Sequence, residues 1–420
     1  MKTILLFGAG KSATVLIDYL IAESAANKWK FIIADANKEQ ILAKTKHSNF
    51  AEAIDLDIND DEKRAALIEK AHVVISMMPP ALHFMIAKDC VEYRKHLLTA
   101  SYLDDKMKSL RDEINNRKLL FLCEMGLDPG IDHMSAMKLI DEIHADGHTI
   151  TAFKSHCGGL IAPESDNNPW HYKISWNPRN VVLAGKAGAI YKQDGIEKNK
   201  NYNELFTNCD EVQIDELGTL AIYPNRDSLS YIPIYKLHHA TTFIRTTLRY
   251  ADFCKGWNAI VQANLCDEIN ILNTSAISFK QWSKAIEPFI TKDIEHLLNY
   301  IGLFSNDMIP KNAVSSADVM QYLLETKLVM SPNDKDMIVM LHEIEHSGGK
   351  IESSLLVKGE DNLRTAMAKT VGLPLGIAAK LLLEGTLTLK GLHIPIHKEI
   401  YLPVLAELDK MGIQFNEVKK

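Results

Sequence analysis

Six short apolar runs punctuate the first 125 residues: TILLFG (3–8), KFIIAD (30–35), FAEAIDLD (50–57), HVVISMM (72–78), HLLTAS (96–101) and LLFLCE (119–124). Segments of helical periodicity separate them, among them SATVLIDYLIAES and DDKMKSLRDEINNRK. Strands alternating with amphipathic helices of this length predict βαβ units with right-handed crossovers on a parallel sheet. The pattern changes at GLDPGIDHMSAMKLIDEIH, where Asp128-Pro129-Gly130 is turn chemistry and Ile131, Met134, Met137, Leu139 and Ile143 follow at near-helical spacing. From about 149 to 248 the chain reads as strands and turns, and from about 255 to 345 as helices, with CDEINILN, WSKAIEPFI and KDIEHLLNYIGLF. RTAMAKTVGLPLGIAAKLLLEG predicts an amphipathic helix interrupted near Gly372-Leu373-Pro374.

The first strand leads straight into Gly8-Ala9-Gly10-Lys11-Ser12-Ala13. In a strand-turn-helix setting, Gly8 permits the tight turn, Gly10 lets the backbone approach a pyrophosphate, and Ala13 allows close helix packing. The helix that follows aims its first amides at the phosphates. An acid, Asp35, ends the second strand 25 positions after Gly10, near the spacing expected for a carboxylate on the adenosine ribose. A carboxylate there repels a 2′-phosphate and Ala36 offers no arginine to bind one, so the expectation is NAD in preference to NADP. The N-terminal part is therefore read as a variant Rossmann domain, an α/β doubly wound parallel sheet.

Composition narrows the rest. With 420 residues, two or three domains are expected, and 47 basic against 54 acidic residues give a net charge of -7 with no basic block for nucleic acid. No window approaches the roughly 20 apolar residues of a membrane span, and the first apolar run is too short for a secretory signal. Neither nucleic acid nor membrane is expected as a partner, and a cytoplasmic protein is the simplest reading. The six cysteines are scattered without a C-x-x-C pair, which speaks against zinc ribbons and disulfide frameworks. His133 and the pair His238-His239 lack a third ligand at a recognisable spacing, so no metal is expected. Met77-Met78 stand at a predicted strand end, where they either line a nicotinamide pocket or simply pack.

Residues 153–179, FKSHCGGLIAPESDNNPWHYKISWNPR, gather Gly, Pro, Asn and Asp with Cys, Tyr, Lys and Trp, as a binding loop does. Together with VVISMMPPALH, LTASYLDDKM, GLDPGIDHMSAMK, YPNRDS, TLRY and AMAKTVGLPLGIAAKLLLEG, this stretch resembles the L-glutamate-forming saccharopine dehydrogenase (saccharopine reductase) family, in the family's order from end to end. The likeness is greatest to the dehydrogenase half of animal bifunctional lysine-degrading enzymes, in which the second strand also ends in an acid and NAD is used. In the fungal biosynthetic members an arginine follows that strand and NADP is used.

The resemblance implies reversible oxidation of L-saccharopine to L-glutamate and 2-aminoadipate 6-semialdehyde in lysine metabolism, by a homodimer. It implies a dinucleotide domain at 1–125 joined by a returning C-terminal helix at about 365–420. An α/β substrate and oligomerisation domain at 126–254 and 346–364, and a helical insertion at 255–345, complete the expected plan. Saccharopine carries three carboxylates, which suit the planar fork of arginine. The matched substrate positions are Ser101, Tyr102, Asp128, Arg226, Thr247 and Arg249, with Arg245 and Arg179 as weaker candidates. The implied dinucleotide contacts are Gly8, Gly10, Lys11, Ser12, Asp35, Ala36, Asp57, Ile75, Ala100, Ser101, Leu127, Asp128, Pro129 and Ser175. For proton transfer the family points to Asp128 and Cys157; read by themselves, one is a turn former before proline and the other a buried thiol. Two other activities fit the same architecture: a carboxynorspermidine dehydrogenase-like imine reductase, and a non-catalytic dinucleotide-binding scaffold.

Overall fold

The computed structural model describes residues 1–273 and 277–420. In chain order it runs β1 (Thr3–Phe7), α1 (Thr14–Asn27), β2 (Lys30–Asp35), α2 (Lys38–Thr45), β3 (Ala51–Asp55), α3 (Asp61–Lys70), β4 (Val73–Ser76), α4 (His83–Glu92), β5 (His96–Thr99), α5 (Asp105–Ser109), α6 (Arg111–Asn116), β6 (Leu120–Leu122) and α7 (Ile131–Ala145). It continues with β7 (Ile150–Ile161), α8 (Pro178–Val182), β8 (Ala189–Gln193), β9 (Ile196–Lys200), α9 (Tyr202–Leu205), β10 (Asp210–Ile214), β11 (Gly218–Pro224), β12 (Arg226–Asp227), α10 (Ile232–Tyr235), β13 (Thr242–Arg249) and α11 (Ala251–Gln262). The remainder is α12 (Phe279–Trp282), α13 (Glu295–Tyr300), α14 (Ser316–Lys327), β14 (Asp336–His346), β15 (Gly349–Lys358), α15 (Ala366–Glu384), β16 (Gly391–His393), α16 (Lys398–Lys410) and β17 (Asn416–Lys419). Two compact units result: Met1–Ala145 with Leu363–Gln414, and Asp146–Asn362 with Phe415–Lys420.

The first unit holds a sheet in the order β16-β6-β5-β4-β1-β2-β3, in which every neighbouring pair is parallel. Each of the six apolar runs contains one of its strands. Strands covered by helices on both faces need continuous apolar sequence, and β1 and β4 are buried along their whole length. The seventh strand, β16, has three residues, too few for periodicity to mark. Helix α15 runs unbroken through Pro374, so the interruption expected near 372–374 does not occur. Its glycines are there for proximity: a Cβ on Gly372 would lie 2.9 Å from the Leu16 Cβ, and one on Gly376 would lie 2.6 Å from the Tyr19 ring, both on α1. By length and composition α15 could cross a membrane, contrary to the sequence expectation that no segment could. Most of it is buried inside the first unit.

The second unit is a mixed sheet, β10-β11-β13-β7-β14-β15-β17, with β8, β9 and β12 branching from β13. Its β13 and β7 run parallel, while β14 pairs antiparallel with both β7 and β15. Residues 336–345 lie in the stretch expected to be helical, yet they belong to β14, an interior strand of this sheet. A strand paired on both edges and covered on both faces carries an unbroken apolar run, here Met337 to Leu341, whose period does not distinguish strand from helix. CDEINILN is not helical among the described residues either; Asp267 Oδ1 accepts from the Ile269 amide at 2.9 Å and turns the chain. A second core of Trp170, Tyr172, Phe253 and Trp257 is closed by α11, α13 and α14.

A half-buried charge cluster ties β7 to β14. Glu343 Oε2 lies 3.1 Å from His156 Nε2, and Lys350 Nζ donates to Glu343 Oε1 at 2.7 Å. Hydrogen bonding from His156, aided by Lys350, holds the Glu343 carboxyl down at about 2. A folded value below the unfolded one of about 4.3 gives stability that is fully present above that pH and disappears as the pH falls to about 2. Glu343→Gln should destabilise the protein by about 2 kcal/mol at neutral pH. Its melting temperature should fall less steeply than that of the parent between about pH 4.5 and 2, which a melting series across that range would reveal.

Candidate active site

In the first unit the Gly-rich turn bends at Gly8, with φ of +94°. A Cβ there would stand 3.0 Å from the Met77 carbonyl carbon and oxygen, so glycine is required by the β4 loop as much as by the turn. Nothing lies within 4 Å of a Cβ built on Gly10, so open space fronts the turn where a phosphate would rest. Lys11 is exposed, Ser12 half-buried, and Ala13 buried where α1 begins. These residues fit a dinucleotide phosphate at a helix N-terminus.

Asp35 ends β2 as expected, but its carboxylate serves the fold. Oδ2 accepts from the Ala9 amide at 2.7 Å and Oδ1 from the Asn37 amide at 2.9 Å. Gln40 Nε2 donates to Ala9 O at 2.7 Å, and Lys44 Nζ donates to Gly10 O, so α2 is bolted to the turn. Burial lowers the Lys44 ammonium to about 8, opposed by Asp35 and Asp18. Ala36 is exposed. Asp57, also exposed, accepts from the Asn59 amide at 2.9 Å in a turn of its own, and Ile75 is fully buried in β4.

At the ends of β5 and β6 a polar network forms. Ser101 Oγ lies 2.7 Å from His83 Nε2, and the Tyr102 hydroxyl donates to Asp128 Oδ1 at 3.2 Å. The peptide joining Asp128 and Pro129 is cis, Gly126 N donates to Pro129 O at 3.0 Å, and Gly130 has φ of +148°. A Cβ on Gly130 would stand 2.1 Å from Gly126 O, so the doubled-back loop accepts only glycine there. A Cβ on Gly126 would stand 3.0 Å from that of Ala100. Leu127 and Pro129 are buried, and the half-exposed Asp128 marks the tip. Glu124 holds this edge: its Oε1 accepts from the Leu103 amide at 2.9 Å and its Oε2 lies 2.8 Å from His133 Nε2. His133 is thus paired with an acid, and no His, Cys, Asp and Glu cluster able to hold a metal occurs among the described residues.

In the second unit, Thr247 on β13 stands in register with Cys157 on β7 and Tyr223 on β11, so all three share one face of the sheet. Burial pushes the Tyr223 phenol up to about 12, opposed by the Arg249 cation. Arg249 follows two residues after Thr247 on the same face and is 6 % exposed. Its guanidinium carbon sits 5.2 Å from the Tyr172 ring centroid and 5.4 Å from that of Phe253, and Nη1 donates to Leu248 O at 2.7 Å. Among the described residues Nε has no hydrogen-bond partner and no carboxylate pairs with the cation. Cys157, 7 % exposed, lies within the field of this guanidinium.

Other candidates fall elsewhere. Arg226 is exposed at the start of β12, Ser175 is buried in the loop before α8, and Arg245 is buried over the Tyr231 ring. Arg179 is engaged with Asp318 at 2.8 Å, and His238 and His239 are exposed. Trp170, one of the residues that made 153–179 look like a binding loop, is core: its Nε1 donates to Leu297 O at 2.8 Å. Sequence reasoning missed His83, Glu124, Tyr172 and Tyr223. His83, Tyr172 and Tyr223 stood inside quoted motifs and Glu124 ended the sixth apolar run, but the partners that give them a role are set by the fold.

Residues 4–121 match the family model described as the saccharopine dehydrogenase NADP binding domain, and residues 126–413 match the saccharopine dehydrogenase C-terminal domain. The chain belongs to the saccharopine dehydrogenase family. Saccharopine dehydrogenase [NADP(+), L-glutamate-forming] of Saccharomyces cerevisiae is 33% identical over 448 residues, 99% of each chain. The mitochondrial alpha-aminoadipic semialdehyde synthase of Mus musculus is 35% identical over 452 residues, 99% of this chain and 47% of that protein, so the chain spans about half the length of such relatives. The solved apo structure of the S. cerevisiae L-Glu-forming saccharopine dehydrogenase covers all of both chains with a TM-score of 0.89 at 32% identity. These findings overturn the expected preference for NAD: the matched domain is an NADP-binding one, and three fungal relatives carry NADP(+) in their names. The physical reason lies in Asp35, whose two carboxylate oxygens are already taken by backbone amides, with the Lys44 cation alongside.

Proposed function

We propose that the protein oxidises L-saccharopine to L-glutamate and 2-aminoadipate 6-semialdehyde with NADP. The observation that carries this reading is Arg249, a buried cation to which no described carboxylate is paired, on one sheet face with Thr247, Tyr223 and Cys157. A substrate with three carboxylates supplies the missing anion, and the planar guanidinium holds it in a fixed orientation. Asp128, oriented by the Tyr102 hydroxyl, takes the proton from the secondary amine. When bound, the dinucleotide provides the hydride acceptor for the carbon on the semialdehyde-derived side. Water then adds to the imine, and Asp128 assists proton transfer as the carbinolamine collapses to aldehyde and glutamate. Lys11, at the turn, and Lys38 and Lys44, on α2, supply the cations that an additional phosphate requires.

The test mixes purified protein with L-saccharopine and either NADP or NAD and follows reduced nicotinamide. Turnover with NADP and little with NAD supports the proposal. Turnover with NAD alone overturns the cofactor, and turnover with neither, in protein that binds dinucleotide, overturns the substrate. A diamine with aspartate semialdehyde, tested in the reductive direction, then becomes the next substrate pair.

A further inference from the structure

Ser76 closes β4 and Ser101 lies just beyond β5, on neighbouring strands whose register pairs Ser76 with Thr99. The Pro79-Pro80 turn returns the chain over these strand ends, so that α4 begins with His83 between the two serines. Ser76 Oγ lies 2.8 Å from His83 Nδ1, and His83 Nε2 lies 2.7 Å from Ser101 Oγ, with Thr99 Oγ1 at 3.4 Å. Ser76 is 1 % exposed and His83 is 5 % exposed. Burial lowers the imidazole to about 4, so the ring is neutral at physiological pH.

A neutral imidazole has one N–H and one lone pair, so its bonds to the two serines run in a single direction. If Ser76 donates to Nδ1, then Nε2–H donates to Ser101 Oγ and the Ser101 proton is left to point at a ligand. In the opposite tautomer Ser101 gives its proton to Nε2 and offers a ligand only lone pairs. A carboxylate accepts and never donates, so it selects the first direction.

We propose that His83 is a positioning residue of the substrate site, which with Ser76 directs the Ser101 hydroxyl as a hydrogen-bond donor to a carboxylate of the substrate. This rests on the reading of Ser101 as a substrate contact. Ser76 touches no ligand in this scheme, and its effect is transmitted through two hydrogen bonds.

The test is steady-state kinetics with saccharopine and NADP on Ser76→Ala, His83→Phe, Ser101→Ala and the Ser76→Ala/Ser101→Ala pair. Ser76→Ala and His83→Phe should each raise the saccharopine KM by about 5- to 10-fold, with kcat and the NADP KM changed by less than about threefold. In the Ser101→Ala background, Ser76→Ala should have no further effect. If Ser101→Ala raises the saccharopine KM while Ser76→Ala leaves it unchanged, or the two effects simply add, the relay is overturned and the Ser101 assignment stands. If Ser101→Ala itself is silent, that assignment falls and the relay with it. Should His83→Phe fail to fold, Ser76→Ala, which removes one oxygen and little volume, decides alone.

Discussion

Arg249→Leu is expected to lower kcat/KM for saccharopine by on the order of a hundredfold to a thousandfold while leaving the melting temperature unchanged or raised. A guanidinium removed from water is unfavourable unless an anion meets it. Here the cation is 6 % exposed, lies against Tyr172 and Phe253, and has the Leu248 carbonyl as its hydrogen-bonded acceptor. Leucine would remove that uncompensated charge and fit the aromatic surroundings, which is why stability and activity should move in opposite directions. Melting curves and kinetics on one preparation decide the matter. Loss of both activity and stability would mark Arg249 as a structural cation and remove the main support for the proposed function.

Asp128→Asn is expected to lower kcat by roughly a hundredfold to ten-thousandfold, with the saccharopine KM changed only severalfold. Asparagine keeps the shape that the Gly126–Gly130 loop needs and still accepts from the Tyr102 hydroxyl, so the loop should persist. What it loses is the capacity to take a proton. Turnover should be followed over the full pH range, because a base that acts near its own pKa reveals itself as a lost limb of the profile. Parent-like turnover at every pH would rule out Asp128 as the proton acceptor.

The NADP correction shows why a strand-end acid misleads. Asp35 stands where a ribose-binding carboxylate would, and only the folded turn reveals that the Ala9 and Asn37 amides already occupy it. The same limit appears in β14: the five-residue apolar run Met337 to Leu341 reads as helix or strand until its neighbours β7 and β15 are known. The roles of Glu124 and Tyr223 escaped the sequence for a related reason, since the Leu103 amide, His133 and the Arg249 cation are brought beside them by the fold.

The sequence by itself determined the parallel α/β architecture of the first unit, because continuous burial on both sheet faces demands six apolar runs at helix-sized intervals. It also determined the glycine-rich turn and, through motifs spread along the chain, membership of the family. The tertiary structure alone decided which polar groups are already satisfied and which are buried without an ionic partner among the described residues. Asp35 is engaged by backbone amides, whereas Arg249 is buried with no described carboxylate to pair it. That distinction depends on hydrogen bonds and burial between residues far apart in the chain, quantities that no local pattern of hydrophobic and polar positions contains.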